Sequence, residues 1–316
     1  MERKAIVTMP PYATFIDEVL GRDIVLGIRL NVVMPLKETE TKEEVLKRLY
    51  EKVKEKEKDL WIDLKARQLR VKGYATPPFT EINLSHEIEV FTPCRAYFHE
   101  RWEGATILEV DGNRLIMEAG PKRTLGPGES VTIPHSTLKI KGYFTEEDLR
   151  YIEAAKKVGI HNYMLSFVES EEDVKSLLAL DSEASVVSKI ESPKGLNYVR
   201  KGSLNSRLMA ARGDLYMELK YPHQVAEGVE LILSRDKNAI VASRLLDSLE
   251  NYSEPSCSDI GDLDNLLRMG YGTFMFGDEV CQEREKIIAA LNVFELMAER
   301  YYDPKLIKPI KCGDKK

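Results

Sequence analysis

The chain has 316 residues, 43% of them hydrophobic and 31% charged, with a net charge of −6. This describes a globular protein long enough for one large domain and a small one, and its acidic balance argues against a general nucleic-acid surface. Four scattered cysteines (Cys94, Cys257, Cys281 and Cys312) with no CxxC pair argue against a zinc site or disulfide framework. No apolar run has signal-peptide or membrane-spanning length, so a cytoplasmic protein with no membrane partner is expected.

Short β-type runs recur along the chain, several followed by a helical pattern. "KAIVTM" (4–9) comes first, with a short helix expected from Tyr12 to Leu20. "DIVLGIRLNVV" (23–33) follows, then a long charged helix. Its start is marked by the capping-box spacing of Thr41 and Glu44, and its buried stripe by Val45, Leu46, Leu49 and Val53. "LWIDLKA" (60–66) is the third strand. From Val71 to Lys141 the texture changes to alternating segments with turn signals such as "VDGNR" and "LGPGES", which predicts a small all-β insertion.

Helix and strand then alternate again. Thr145 caps "EEDLRYIEAAKKV" ahead of "IHNYMLSFV", and Ser170 caps "EEDVKSLLAL" ahead of "ASVVSKIES". Three more units and a closing helix from Cys281 to Tyr301 follow. The eight strands are expected near 5–8, 24–30, 60–64, 161–167, 185–190, 206–211, 238–243 and 271–276. Their near-continuous apolar character suits a parallel sheet buried on both faces. Eight βα units predict a (β/α)8 barrel over 1–70 and 142–316, with the all-β domain at 71–141 inserted after strand 3. A doubly wound open sheet is the alternative.

Function in such a barrel sits at the carboxyl ends of the strands. The second strand ends in Arg29 and Asn31, and the third in Asp63, with Lys65 and Arg70 beyond it. The fifth ends in Lys189–Ile190–Glu191. Alternation puts Lys189 and Glu191 on one face, a cation beside an anion. The sixth ends in Arg212, Gly213 and Asp214, and the seventh in Ser243 and Arg244. Two carboxylates, Glu191 and Asp214, suit Mg²⁺ or Mn²⁺, which keep positions open for water and substrate oxygens. A lysine beside such a metal can stabilise charge developing on a phosphoryl group or an enolate. The surrounding cations ask for a small anionic substrate. An internal charge network that only ties the barrel top together would use the same residues.

Other features carry less. "GPGES" lacks the phosphate-loop pattern and reads as a hairpin turn, and the five histidines show no pairing. Ser243 has no nucleophile-elbow context. The Lys/Glu run at 51–58 reads as a solvated helix face.

Several stretches, in collinear order, resemble pyruvate kinase. "FTEEDLRYIEAAKKVGIHNYMLSFVESEEDV" is similar to that family's LTEKD…SFV…DV, "SKIESPKGLNYV" to its KIE…G..N, and "MAARGDLYMEL" to its VARGDLGVE. "IVTMPP", "GIRLN", "IDLKARQLR", "IVASRLLDSL" and "PSCSDIGDLDN" add weaker matches. The resemblance implies that Glu191 and Asp214 hold the divalent metal while Lys189 faces the transferring phosphoryl group. It implies that Arg29, Asn31 and Arg70 touch phosphate or nucleotide, and that Gly213 and Asp214 offer backbone N–H groups to an anion. Arg212 and Asp63 stand on the substrate side with them. Ser243 takes the place of a threonine near the substrate carboxylate, and the insertion corresponds to a mobile lid over the nucleotide.

There are also departures. Val32, Val33 and Met34 replace Phe-Ser-His, Leu64 replaces a threonine, and Ala66–Arg67–Gln68 replaces GPE. Arg244 stands in a glutamine position and Tyr216 in that of a glycine, and the family's C-terminal domain has no counterpart in this sequence. Two oxygen ligands of the family's potassium site are thus lost, so K⁺ is not expected as a cofactor. Asp63 would then need a fixed positive partner, with Arg67 or Arg244 the expected one. The expected activity is Mg²⁺-dependent phosphoryl transfer between phosphoenolpyruvate, pyruvate or a related 2-oxo acid and a nucleotide of the ATP/ADP type. A metal-dependent 2-oxo acid lyase or aldolase, or a non-catalytic paralogue, are the alternatives. Barrel contacts would serve any homo-oligomer.

Overall fold

The computed structural model describes residues 2–99, 101, 103–202 and 205–301. Its elements run β1 (Lys4–Thr8), α1 (Ile16–Leu20), β2 (Val25–Asn31), α2 (Lys42–Glu55) and β3 (Asp59–Leu64). Six short strands follow: β4 (Glu81–Asn83), β5 (Ile88–Glu89), β6 (Cys94–His99), β7 (Glu103–Asp111), β8 (Arg114–Met117) and β9 (Lys139–Ile140). Alternation then returns with α3 (Glu146–Val158), β10 (Asn162–Leu165), α4 (Glu171–Leu180), β11 (Ser185–Ile190) and α5 (Pro193–Lys201). β12 (Arg207–Ala211) leads through α6 (Arg212–Glu218) and α7 (His223–Arg235) to β13 (Ile240–Ala242). The chain closes with α8 (Cys257–Met269), β14 (Thr273–Phe276), α9 (Asp278–Cys281) and α10 (Arg284–Glu299).

Eight parallel strands close in the order β1-β14-β13-β12-β11-β10-β3-β2, which rules out the open sheet. The expected helix starts carry their caps. Thr41 with Glu44 and Thr145 with Asp148 form full capping boxes, and Ser170 with Asp173 makes a third. The insertion between β3 and α3 holds a four-stranded antiparallel sheet, a two-stranded one and its own apolar core around Leu84, Ala96, Ile107 and Leu115. It rests on the barrel mouth at several points. Arg70 donates to the Gly128 carbonyl at 2.8 Å, Lys194 to the Leu138 carbonyl at 3.1 Å, and Arg101 to the carbonyls of Tyr216, Met217 and Leu219.

Strand alternation builds the mouth. Ile6, Trp61, Met164, Val187, Met209 and Met275 fill the barrel interior as one apolar cluster. Two residues further along the same strands stand Thr8, Asp63, Ser166, Lys189, Ala211 and Gly277, so the inward rows turn polar or small at the carboxyl end. Gly27 has no room for a side chain, because the Trp61 ring and the Asp59 backbone occupy that space. Among the described residues, no helix is long and apolar enough to cross a membrane.

Candidate active site at the barrel mouth

Asp63 is fully buried, and three cations converge on it. Arg29 donates from Nε at 2.8 Å and also from Nη2, Lys65 Nζ donates at 3.0 Å, and Lys189 Nζ donates at 3.3 Å. Burial alone would raise the Asp63 carboxyl, but Arg29, Lys189 and Lys65 hold it well below the usual carboxylate range. The arginine comes from the neighbouring strand, where Arg29 stands opposite Trp61 and Asn31 opposite Asp63. This corrects the expectation of Arg67 or Arg244. Ala66 is left-handed (φ 43°), and Arg67 reaches Asp173 at 2.6 Å instead of the barrel axis. Arg244, itself left-handed (φ 59°), pairs with Asp247 at 3.3 Å.

Arg29 is held on a second side. Its Nη1 donates to Thr8 Oγ1 at 2.9 Å and lies 3.3 Å from Asp278 at the start of α9. Asn31 Nδ2 donates to the same Asp278 carboxylate at 2.8 Å.

Lys189 bridges to the other side of the mouth. Its ammonium donates to Ser166 Oγ at 2.9 Å and lies 3.1 Å from Glu191 Oε1. Burial works against its charge, but Asp63 and Glu191 outweigh that and raise its pKa. Lys65, also buried and repelled by Lys189 and Arg29, is pushed down to about 7.

Glu191 is fully buried. Its Oε2 accepts from the Phe167 N–H at 2.7 Å, whereas Oε1 has the Lys189 ammonium at 3.1 Å and no further donor among the described residues. Burial and then the neighbouring Asp214, against the pull of Lys189, push it up to about 7. Asp214 accepts from Gln68 Nε2 at 3.3 Å, and Gln68 in turn accepts from Arg70. One helical turn further, Glu218 is pushed up to about 8 by burial and by Asp214 and Glu169. Among the described residues, no group of three or more His, Cys, Asp or Glu forms a ready-made metal cage. A buried carboxylate oxygen that faces a single ammonium, close enough to a second carboxylate to feel its charge, nevertheless fits a hard cation that takes most ligands from water and substrate.

The structure thus brings Arg29, Asn31, Asp63, Lys189 and Glu191 together, with Asp214 beside them. Arg70 stands behind Gln68. Arg212 is turned away, bonded to Asp262 at 2.7 Å and to the carbonyls of Ser243 and Arg244. It thereby holds the loop after β13, where Ser243, Arg244 and Leu246 all have positive φ. A Cβ at Gly213 would lie 3.3 Å from Ser243, so the two segments touch. α6 has only seven residues, so its amides can bond an anion with little support from a macrodipole. The sequence reading missed Thr8, Gln68, Ser166 and Asp278. Alternation from Met164 could have given Ser166, but Asp278 leaves no pattern.

Comparisons agree with the barrel. A family model described as pyruvate kinase, barrel domain, matches residues 96–284. The pyruvate kinase of Methanocaldococcus jannaschii is 28% identical over 198 residues, covering 60% of this chain and 44% of that protein. That of Corynebacterium efficiens is 27% identical over 184 residues, covering 56% and 39%. That of Thermoplasma acidophilum is 31% identical over 157 residues, covering 47% and 29%. The matched stretch therefore spans less than half the length of each of these relatives.

Proposed function

The chain belongs to the pyruvate kinase family, and from that premise we propose that it is a divalent-metal-dependent phosphotransferase. Its substrate would be phosphoenolpyruvate, pyruvate or a related 2-oxo acid, with a nucleotide of the ADP/ATP type as partner. The observation that supports this most is the buried Lys189–Glu191 pair, with Glu191 Oε1 facing a single ammonium at 3.1 Å next to Asp214. Glu191 and Asp214 would hold Mg²⁺ or Mn²⁺, which when bound supplies Lewis-acid polarisation of a substrate oxygen. Lys189, kept charged by Asp63 and Glu191, would stabilise negative charge on the phosphoryl group in the transition state. Lys65 would gain its proton fully when an anion arrives, because its lowered pKa comes from burial and neighbouring cations. Arg29 is assigned as the standing counter-ion of Asp63, and Arg70 and the Gly213–Asp214 amides as phosphate or carboxylate contacts. The insertion would act as the lid, through its contacts from Gly128, Leu138 and Arg101.

A second reading, enolate chemistry on a 2-oxo acid without a nucleotide, is favoured by one observation. In the turn after β3, Ala66–Arg67–Gln68 stands in place of the family's GPE and Arg67 is tied to Asp173 at 2.6 Å. The deciding experiment supplies phosphoenolpyruvate, ADP and Mg²⁺ and follows ATP by luminescence. In parallel, methyl proton exchange of pyruvate in D₂O is followed by NMR. ATP formation lost in Glu191→Gln supports the first reading, and nucleotide-independent exchange alone supports the second. Neither signal would leave a binding protein.

A further inference from the structure

The turn Ser166–Phe167, directly after β10, has every one of its polar atoms engaged. The Ser166 N–H donates to the Leu64 carbonyl at 3.2 Å, and the Ser166 carbonyl accepts from Tyr143 O–H at 3.1 Å. Ser166 Oγ, fully buried, accepts from Lys189 Nζ at 2.9 Å. The Phe167 N–H donates to Glu191 Oε2 at 2.7 Å, and the Phe167 carbonyl accepts from Arg67 Nη1 at 3.2 Å. Phe167 itself is left-handed (φ 51°), a conformation that a bulky residue adopts only when its surroundings enforce it. The kink lies just past the end of β10, with the Phe167 N–H on the Glu191 carboxylate and the next N–H, of Val168, on the Lys189 carbonyl at 3.2 Å.

We propose that Ser166 and Phe167 are positioning residues for the reaction at Lys189 and Glu191. The Ser166 hydroxyl fixes the Lys189 ammonium between Asp63 and Glu191. The Phe167 amide occupies Glu191 Oε2, which leaves Oε1, already 3.1 Å from the Lys189 ammonium, as the atom turned to cations. The same turn is tied to both chain crossings of the insertion. Arg67 stands on the way in and Tyr143 on the way out, with the Arg67 guanidinium 4.8 Å over the Tyr143 ring. A shift of the insertion is thereby transmitted to the lysine and the carboxylate through one two-residue turn. The inference rests on the phosphotransferase reading of those two groups.

The test compares wild type with Ser166→Ala, Ser166→Thr and Tyr143→Phe, using phosphoenolpyruvate, ADP and Mg²⁺ for turnover and Mn²⁺ calorimetry for metal binding. Hydrogen bonds to charged groups suggest that Ser166→Ala lowers kcat by about 10-fold or more. KM and Mn²⁺ affinity should stay within about twofold, because the hydroxyl is bonded to Lys189 and not to the Glu191 or Asp214 carboxylates. Ser166→Thr, which keeps the hydroxyl, should restore most of the rate. Tyr143→Phe should lower kcat by a smaller factor of about 3. A selectively ¹⁵N-labelled Phe167 amide should shift on Mg²⁺ addition in wild type and not in Glu191→Gln. Ser166→Ala with an unchanged kcat, or a Phe167 amide indifferent to bound Mg²⁺, overturns the positioning role and leaves the phosphotransferase reading intact. A wild type that neither turns over nor binds Mn²⁺ removes that reading, and the inference with it.

Discussion

The two corners of the barrel mouth are equally buried and opposite in charge balance. Around Asp63, β2, β3 and β11 supply three cations to one carboxylate, and its pKa stays well below the usual range. Around Glu191, one shared lysine lies 3.1 Å from Oε1 as its only close cation among the described residues, and Asp214 adds negative charge nearby. Burial is thus not what separates them. The number of cations within reach is. A buried carboxylate with a surplus of partners is a structural anchor, whereas one with a deficit is where an external cation is gained. The mouth is accordingly polarised, with a positive half suited to an anionic substrate and a negative half suited to a metal.

Lys189 is the one side chain that belongs to both corners, so removing it gives the largest expected effect. Lys189→Met leaves Asp63 with Arg29 and Lys65 but takes from Glu191 its only ion-pair partner among the described residues. The kcat of phosphoryl transfer should fall by about 10²–10³-fold while the fold persists. Steady-state kinetics beside a thermal melt would decide it, and a variant with most of the wild-type rate would end the catalytic assignment.

The stability of the two corners should respond with opposite sign. Asp63→Asn takes the shared carboxylate from three buried cations, leaving Arg29 with Asp278, Lys189 with Glu191 and Lys65 with no ion pair among the described residues, and is expected to destabilise the protein by about 3–5 kcal/mol. Glu191→Gln removes an under-compensated charge and should leave the metal-free protein as stable as wild type, or more so, while weakening Mg²⁺ binding at least about tenfold. Urea denaturation and calorimetry measure the two quantities. Equal stability losses in both variants would abolish the distinction between the corners.

A smaller effect concerns pH. The folded-state pKa of Glu218 is about 8 against an ordinary 4.5, so between those values the folded chain holds a proton that the unfolded chain has released. Stability must therefore fall as pH rises through that window. Glu218→Gln, which cannot titrate, should gain on wild type from pH 5 to pH 8, by about 2 °C in Tm. A constant Tm difference across the window would place the Glu218 carboxylate in water.

Much of this was legible in the sequence, for identifiable reasons. All eight barrel strands and the starts of α2, α3 and α4 were signalled by apolar runs and by caps such as Thr41 and Thr145. The Lys189–Glu191 juxtaposition follows from alternation alone. The partner of Asp63 was not legible, because it depends on which residue of β2 stands beside β3 and on left-handed turns at Ala66 and Arg244 that swing two arginines away. Asp278 was invisible for a related reason. It is one of two adjacent acidic residues, with Glu279, on a four-residue helix, and barrel closure is what brings it to Arg29 and Asn31.

The smallest expected effect is none, and it bears on the Asp63 corner directly. A monovalent cation there would need oxygen ligands. Leu64 and Val33 offer no hydroxyl, and the Asn31 amide N–H points at Asp278. It would also stand next to Arg29, Lys65 and Lys189, which already bond Asp63. Two unit charges about 4 Å apart repel by about 4 kcal/mol at an effective dielectric constant near 20, so each neighbour weighs heavily against entry. The three cations on Asp63 and the missing hydroxyls at positions 33 and 64 argue against a potassium requirement. Turnover in K⁺, Na⁺ and tetramethylammonium buffers of equal ionic strength should therefore agree within about twofold, since only screening remains and it is matched. Saturable activation by K⁺ alone would mean that the ion displaces one of the three cations, and the picture of a self-neutralised corner would have to be given up.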